Sequence, residues 1–273
     1  MQNILITGCS SGIGLETALF LKSKNIKVYA SARDEKDLKM LEDLGLIAFK
    51  IDVRDKNEIT SALNTILEND KKLDAVFNNA GFGQPAALED ITTEVLKEQF
   101  ETNFFGLHEV TLQTMKIFRV QGYGKIIQHS SVLGIISLRF RGAYNASKYA
   151  IEGLCDTLRL ETKNSNIFIS TINTGPVTSK FRENSLKNFR KNIDIENSFW
   201  KNEYNKELKD RLESSDNKGA FTLPPRSVAE VVLKIMKSSS PKPRYYVTFA
   251  THILGFAKRV LSTAWLDKIL VKI

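Results

Sequence analysis

A chain of 273 residues can bury a full core, and no linker, repeat or low-complexity tract divides it, so residues 1–273 are read as a single α/β domain. Its formal charge of +8 suits an anionic cofactor, an acidic partner or an anionic membrane surface and selects none of them. Cys9 and Cys155 form no Cys-x-x-Cys pair and the three histidines have no ligand spacing, which argues against a metal and for reduced structural thiols, while the chain enters a strand at once without a leader segment, which makes a cytoplasmic location the expectation.

Residues 3–7 read as a short buried strand, followed by a glycine-rich turn with Gly8, Gly12 and Gly14 and then by a helical pattern through Leu15, Leu19 and Leu21. Backbone that approaches a pyrophosphate needs residues without bulk, and the helix start beyond offers free N–H groups and the positive end of its dipole. The spacing is G-x-x-x-G-x-G rather than the usual dinucleotide fingerprint, so a bare strand-to-helix turn stays open as the alternative. A second strand, 26–31, ends just before Arg33 and Asp34. An arginine there can read a ribose 2′-phosphate, which favours NADP(H) over NAD(H); Arg33 as a solvated loop charge is the other reading.

A third strand, 47–51, ends at Asp52 and Val53, where a carboxylate could accept from an adenine amino group. The fourth, 73–77, runs into Asn78, Asn79, Ala80 and Gly81, which either border the adenosine side of a cofactor or form a plain turn. Strands that alternate with helices four times in succession predict a doubly wound, Rossmann-type parallel sheet with helices on both faces and ligands at the carboxyl ends of its strands. Residues 93–120 form one long amphipathic pattern that carries Asn103 among Phe100, Phe104, Phe105 and Leu107, as a satisfied core amide or as a functional one.

The strand 125–131 ends at Ser131, and thirteen positions later stand Tyr144 and Lys148, four apart. On a helix that spacing puts both on one face. A free phenol titrates near ~10, and a fixed cation beside it lowers that value, so Tyr144 could exchange a proton with a substrate oxygen. Val132, Leu133, Ile135, Ile136, Leu138 and Phe140 follow the serine and read either as the lining of an apolar substrate site or as ordinary core.

The next strand, 167–172, leads into Thr174, Gly175, Pro176, Val177 and Ser179. Residues 181–223 interleave Phe189, Phe199, Trp200 and Tyr204 with acids that nearly balance the bases; they read as a helical substrate lid or a solvated helical hairpin, not as a nucleic-acid surface. A helix over 227–236 and a last strand over 244–247 precede an amphipathic C-terminal extension, 250–273. Its apolar stripe beside Lys258, Arg259, Lys268 and Lys272 suits a pocket cover or a homo-oligomer interface, or else a peripheral membrane contact.

Together, the glycine turn at residues 7–14, the Asn78 to Gly81 segment and the Tyr144-to-Lys148 motif resemble the short-chain dehydrogenase/reductase family, over almost the whole chain to about residue 247. Residues 78–83, the lid and the extended C-terminus look most like its hydroxysteroid- and retinol-type dehydrogenases. The resemblance implies a catalytic tetrad of Asn103, Ser131, Tyr144 and Lys148. It also implies a nicotinamide cofactor held by Gly8, Ser10, Ser11, Gly12, Ile13, Gly14, Arg33, Asp52, Val53, Asn79, Ala80, Gly81, Tyr144, Lys148, Pro176, Val177 and Ser179. Many members carry Pro-Gly where this chain has Thr174 and Gly175, so a looser loop over the nicotinamide is expected. The implied reaction interconverts an alcohol and a ketone or aldehyde. A reductase of carrier-bound 3-oxoacyl groups and a non-catalytic NADP-binding regulator are the alternatives.

Overall fold

Parallel strands cannot be joined by tight turns, so each pairing needs a crossover, and here the crossovers are helices. The computed structural model describes residues 1–206 and 222–273. Strands β1 (Asn3–Ile6), β2 (Lys27–Ala32), β3 (Ile47–Lys50), β4 (Ala75–Asn78), β5 (Tyr123–Ser131), β6 (Asn166–Thr174) and β7 (Arg244–Tyr246) form one sheet in the order β3-β2-β1-β4-β5-β6-β7. Every neighbouring pair is parallel. The expected doubly wound sheet is present, with strand ends shifted by at most two residues.

The period-two alternation of side chains sorts the core into two layers. Ile4 and Ile6 of β1 and Phe77 of β4 pack with Leu21 of α1 (Gly12–Ser23) and with Val232 and Met236 of α8 (Arg226–Lys237). α2 (Glu35–Asp43) lies on the same side through Leu41. Leu5 and Val76 point the other way, toward Ile66 of α3 (Lys56–Asp70), Phe118 of α5 (Leu107–Gln121) and Ile151 of α6 (Gly142–Glu161). All four residues of β1 are buried, as expected of a central strand covered on both faces. The chain builds outward from β1 to β3 and then returns to β4 on the other side of β1. That reversal opens a crevice at the carboxyl ends of β1 and β4, where ligands of such sheets sit.

The helix expected over 93–120 is divided into α4 (Thr93–Phe100), a π-helical segment (Glu101–Gly106) and α5. Such wide turns recur at functional sites. This one turns the buried Asn103 inward, where its Oδ1 accepts from Phe82 N at 3.0 Å and its Nδ2 donates to Phe82 O at 2.9 Å.

Of the expected lid, α7 (Phe181–Asn192) and residues 193–206 are described, and residues 207–221 lie outside the described residues. Phe189, Ile193 and Tyr204 dock against Ala86 and Ala87, and Tyr204 Oη accepts from Ala87 N at 2.7 Å. Phe199, one of the aromatics of this stretch, is 84% exposed. The C-terminal pattern forms two helices, α9 (Phe249–Val260) and α10 (Thr263–Leu270), separated at Leu261 and the N-cap Ser262. Among the described residues no helix is long and apolar enough to cross a membrane.

Candidate active site

At the end of β1 the backbone turns through positive φ at Gly8 (71°) and Gly12 (58°), a region that L side chains avoid. Gly14 is required for a different reason: a Cβ there would lie 2.2 Å from Gly8 O and 2.6 Å from Asn79 Nδ2. Ser11, the N-cap of α1, makes no side-chain cap bond, and the first turn carries no acid. The first N–H groups of α1 therefore face a cleft of about 640 Å³ whose walls include Ser10, Ser11, Gly12 and Ile13. This is the donor set that a pyrophosphate needs, so these residues fit a dinucleotide.

Arg33 lies at the rim of the same cleft, exposed, and among the described residues no hydrogen bond or ion pair occupies its guanidinium. Asp52, Val53, Ala80 and Gly81 line the wall beyond it. The Asp52 carboxylate is held by Arg54, with Nη2 to Oδ2 at 2.6 Å and Nε to Oδ1 at 3.0 Å, and that pairing keeps its pKa below the usual carboxylate value. An adenine amino group would share this carboxylate with Arg54, a partner that the sequence reading missed although it stands only two residues away.

A second cavity, of about 310 Å³, adjoins the first. Val132, Leu133, Leu138, Pro176 and Val177 give it apolar walls, and Arg141, Arg182 and Gln84 add polar ones. Three expected lining residues lie elsewhere: Ile135 packs against the cluster beneath α9 and α10, Ile136 is fully buried in it, and Phe140 packs on Trp200 and Tyr204. The loop at Pro176 is pinned rather than loose. Thr178 N donates to Leu223 O at 3.0 Å, Leu223 N donates to Pro176 O at 3.1 Å, and a Cβ at Gly175 would meet Thr248 Oγ1 at 2.1 Å.

Tyr144 lines both cavities. It projects from the first turn of α6, one turn before Lys148, and stands beside Ser131 at the end of β5, whose Oγ donates to Thr174 O at 3.4 Å. Lys148 is 6% exposed; its Nζ donates to His129 O at 2.6 Å and lies 5.5 Å from the Tyr144 ring centroid. Burial pushes the ammonium down to about 8. The expectation that Lys148 holds the phenol below its ordinary pKa is overturned: burial raises Tyr144, and only the neighbouring Ser131 hydroxyl opposes that rise. The cation is directed at a carbonyl and itself loses solvation, so a neutral phenol results, the form that can give up a proton. Asn103 approaches from behind α6, where its Nδ2 lies 3.4 Å from Ser147 Oγ, and Ser147 Oγ donates to Tyr144 O at 2.8 Å.

His129, which its sequence context does not mark as a site residue, joins the two halves of the site through its ring. Nδ1 lies 3.0 Å from Asn79 Oδ1 and Nε2 lies 3.2 Å from Thr174 Oγ1. Because Asn79 Nδ2 donates to Thr7 O and Gly8 O, both at 3.0 Å, its Oδ1 is left to accept, which assigns the imidazole proton to Nδ1. Burial and the nearby Lys148 push this imidazole down to about 3, so it is neutral at working pH. Thr7 completes the bridge from the glycine loop: its Oγ1 accepts from Asn79 N and Ala80 N, each at 3.0 Å.

Known proteins share this sequence pattern and fold. The family model described as short chain dehydrogenase matches residues 2–189. The chain is 36% identical over 271 residues to an uncharacterized oxidoreductase, YbbO, of Escherichia coli, which covers 98% of this chain and 94% of that protein. It is 31% identical to a 3-ketodihydrosphingosine reductase of Bacteroides thetaiotaomicron, with coverage of 97% and 93%. It is 30% identical to human 17-beta-hydroxysteroid dehydrogenase type 1, with coverage of 90% and 77%. Among solved structures, the closed form of a serine dehydrogenase with NADP+ superposes with a TM-score of 0.78 at 21% identity, over 92% of this chain and 96% of that one. A Burkholderia phymatum member with NAD superposes with a TM-score of 0.73 at 21% identity, over 90% and 88%. With its loop, its sheet and these relatives in agreement, the chain belongs to the short-chain dehydrogenase/reductase family and is an oxidoreductase.

Proposed function

We propose that the chain interconverts an apolar alcohol and its ketone or aldehyde with NADP(H), Tyr144 serving as the acid/base. The observation that carries this reading is the position of Tyr144, beside Ser131 at the junction of a polar cleft and an apolar cavity. When bound, the dinucleotide supplies or accepts a hydride at its nicotinamide. In the reductive direction Ser131 holds the substrate oxygen and Tyr144 gives it the phenolic proton, completing the alcohol. Lys148, whose pKa of about 8 lies close to neutrality, fixes the nicotinamide ribose and passes a proton back to Tyr144. Asn103 orients a water on that return path. Holding both reactants at one tyrosine supplies much of the acceleration.

Arg33, at the rim of the cleft without an ion-pair partner among the described residues, supports a 2′-phosphate and hence NADP(H). The walls at Val132, Leu133, Leu138 and Val177 support an apolar substrate, and relatives named for a ketosphingoid and a hydroxysteroid agree. Buried free thiols at Cys9 and Cys155 suit the reducing cytoplasm. A panel of carbonyls and alcohols assayed with NADPH and with NADH tests the reading. Turnover of long-chain or polycyclic carbonyls with NADPH is expected. Faster turnover of short polar or anionic carbonyls overturns the substrate class, and cofactor binding without turnover of any carbonyl favours the regulator.

A further inference from the structure

We propose that the outward face of α9 and α10 is a docking surface for an anionic lipid bilayer. Each helix carries two apolar stripes. The inner one, Leu254 and Ala257 of α9 with Leu266 and Leu270 of α10, packs on Val132, Leu133, Ile136 and Leu138. The outer one faces solvent: Ile253, Phe256 and Val260 recur every three or four residues and are 50%, 66% and 58% exposed. Trp265 and Ile269 continue it on α10 at 61% and 43%, and Ile273 beyond that helix is 70% exposed. Water would not be the lasting neighbour of six large apolar side chains in so short a stretch.

The charges beside the stripe decide which neighbour fits. Between residues 249 and 273 stand Lys258, Arg259, Lys268 and Lys272, all exposed, against one acid, Asp267. Lys268 lies over the Trp265 ring, 4.6 Å from its centroid. Apolar side chains bordered by lysine and arginine, with a tryptophan among them, suit the headgroup boundary of an anionic membrane. The same face makes a poor contact for a second copy of this chain. A two-fold interface would bring like charges together, and lysine is depleted from protein interfaces. The excess positive charge of the whole chain, +8, acts in the same direction as the patch.

The inner stripe ties this surface to the site. Val132, Leu133 and Leu138 line the apolar cavity on one side and carry α9 and α10 on the other. Docking therefore brings the bilayer to within one helix layer of the cavity wall. Delivery of substrate from the membrane rests on the apolar-substrate reading; the docking itself does not.

Flotation of the full chain tests the surface. Vesicles of phosphatidylcholine and phosphatidylglycerol in equal parts are compared with pure phosphatidylcholine, at low and high salt. Binding to the anionic vesicles that weakens with salt is expected. A double variant, Ile253→Glu with Phe256→Glu, should lose at least about tenfold in that binding. Because both side chains are exposed, its thermal unfolding and its turnover of a water-soluble carbonyl should match the unaltered protein. Absence of flotation on anionic vesicles, or equal flotation of the variant, overturns the proposal. So does a shift from dimer to monomer in the variant by sedimentation, which would assign the face to a second copy. Flotation needs no turnover, so failure of docking and failure of the reaction reading are separable.

Discussion

Replacing His129 by phenylalanine should weaken cofactor binding while leaving the Ser131 and Tyr144 hydroxyls in place. The substitution keeps the ring, which packs 5.7 Å from Phe77, and it keeps the backbone carbonyl that accepts from Lys148. What is lost is the donor to Asn79 Oδ1 and the acceptor for Thr174 Oγ1. A part-buried hydrogen bond contributes about 1 kcal/mol, and an abandoned partner costs somewhat more, so the two together come to roughly 2–3 kcal/mol. Asn79 braces the carbonyls of Thr7 and Gly8, so part of that cost falls on the cofactor loop rather than on the fold. If half of it does, the dissociation constant for NADPH rises about tenfold. Fluorescence titration with NADPH, paired with urea unfolding of the same samples, separates the two shares. His129→Asn, which can return an amide N–H near the Nδ1 position, should recover part of the affinity. An unchanged dissociation constant in the phenylalanine variant refutes the argument, even if stability falls, because the ring would then be only a structural brace.

Arg33→Ala should cost NADPH roughly ten- to a hundredfold in affinity and NADH little, and equal losses for both in parallel titrations would remove the 2′-phosphate assignment. Gly14→Ala places a methyl group 2.2 Å from Gly8 O, so it should lower stability by about 1–3 kcal/mol and cofactor affinity with it; an unperturbed melting temperature would contradict that geometry. For Lys148 the folded pKa, about 8, lies below its ordinary 10.5, so between these values the unfolded chain binds the extra proton and stability rises with pH. Lys148→Met should flatten that rise by up to roughly 3 kcal/mol in urea titrations from pH 7 to 11, and parallel curves for the two proteins would refute the burial argument.

Much of the site was legible because its signals are local. The glycines of the first turn report a backbone conformation, and the interval from Tyr144 to Lys148 reports a helix face. Whatever depends on distant partners was hidden. His129 meets Asn79 and Thr174 from 50 and 45 residues away, and nothing in the strand pattern around it announces either. The Lys148 spacing correctly puts the cation near the phenol but says nothing of Nζ turning to His129 O. Burial of the phenol, which the spacing does not report either, turns the expected depression of the Tyr144 pKa into a rise. The π-helical segment at Asn103 was likewise unreadable, since its apolar period runs on smoothly through Phe104 and Leu107. In the C-terminal extension, two apolar stripes on each helix overlap in sequence, and only the packing onto Val132 and Ile136 separates the inner one from the outer.

The central claim is that Tyr144 moves the proton, and the Tyr144→Phe variant tests it most directly. Its ring would stay at the junction of the two cavities and keep its contact with Phe181, 5.3 Å between centroids, so only the hydroxyl beside Ser131 is removed. Turnover measured at saturating NADPH should fall by at least about a thousandfold, with the NADPH dissociation constant changed by no more than roughly threefold. Substantial turnover in this variant, with cofactor bound, would contradict the account.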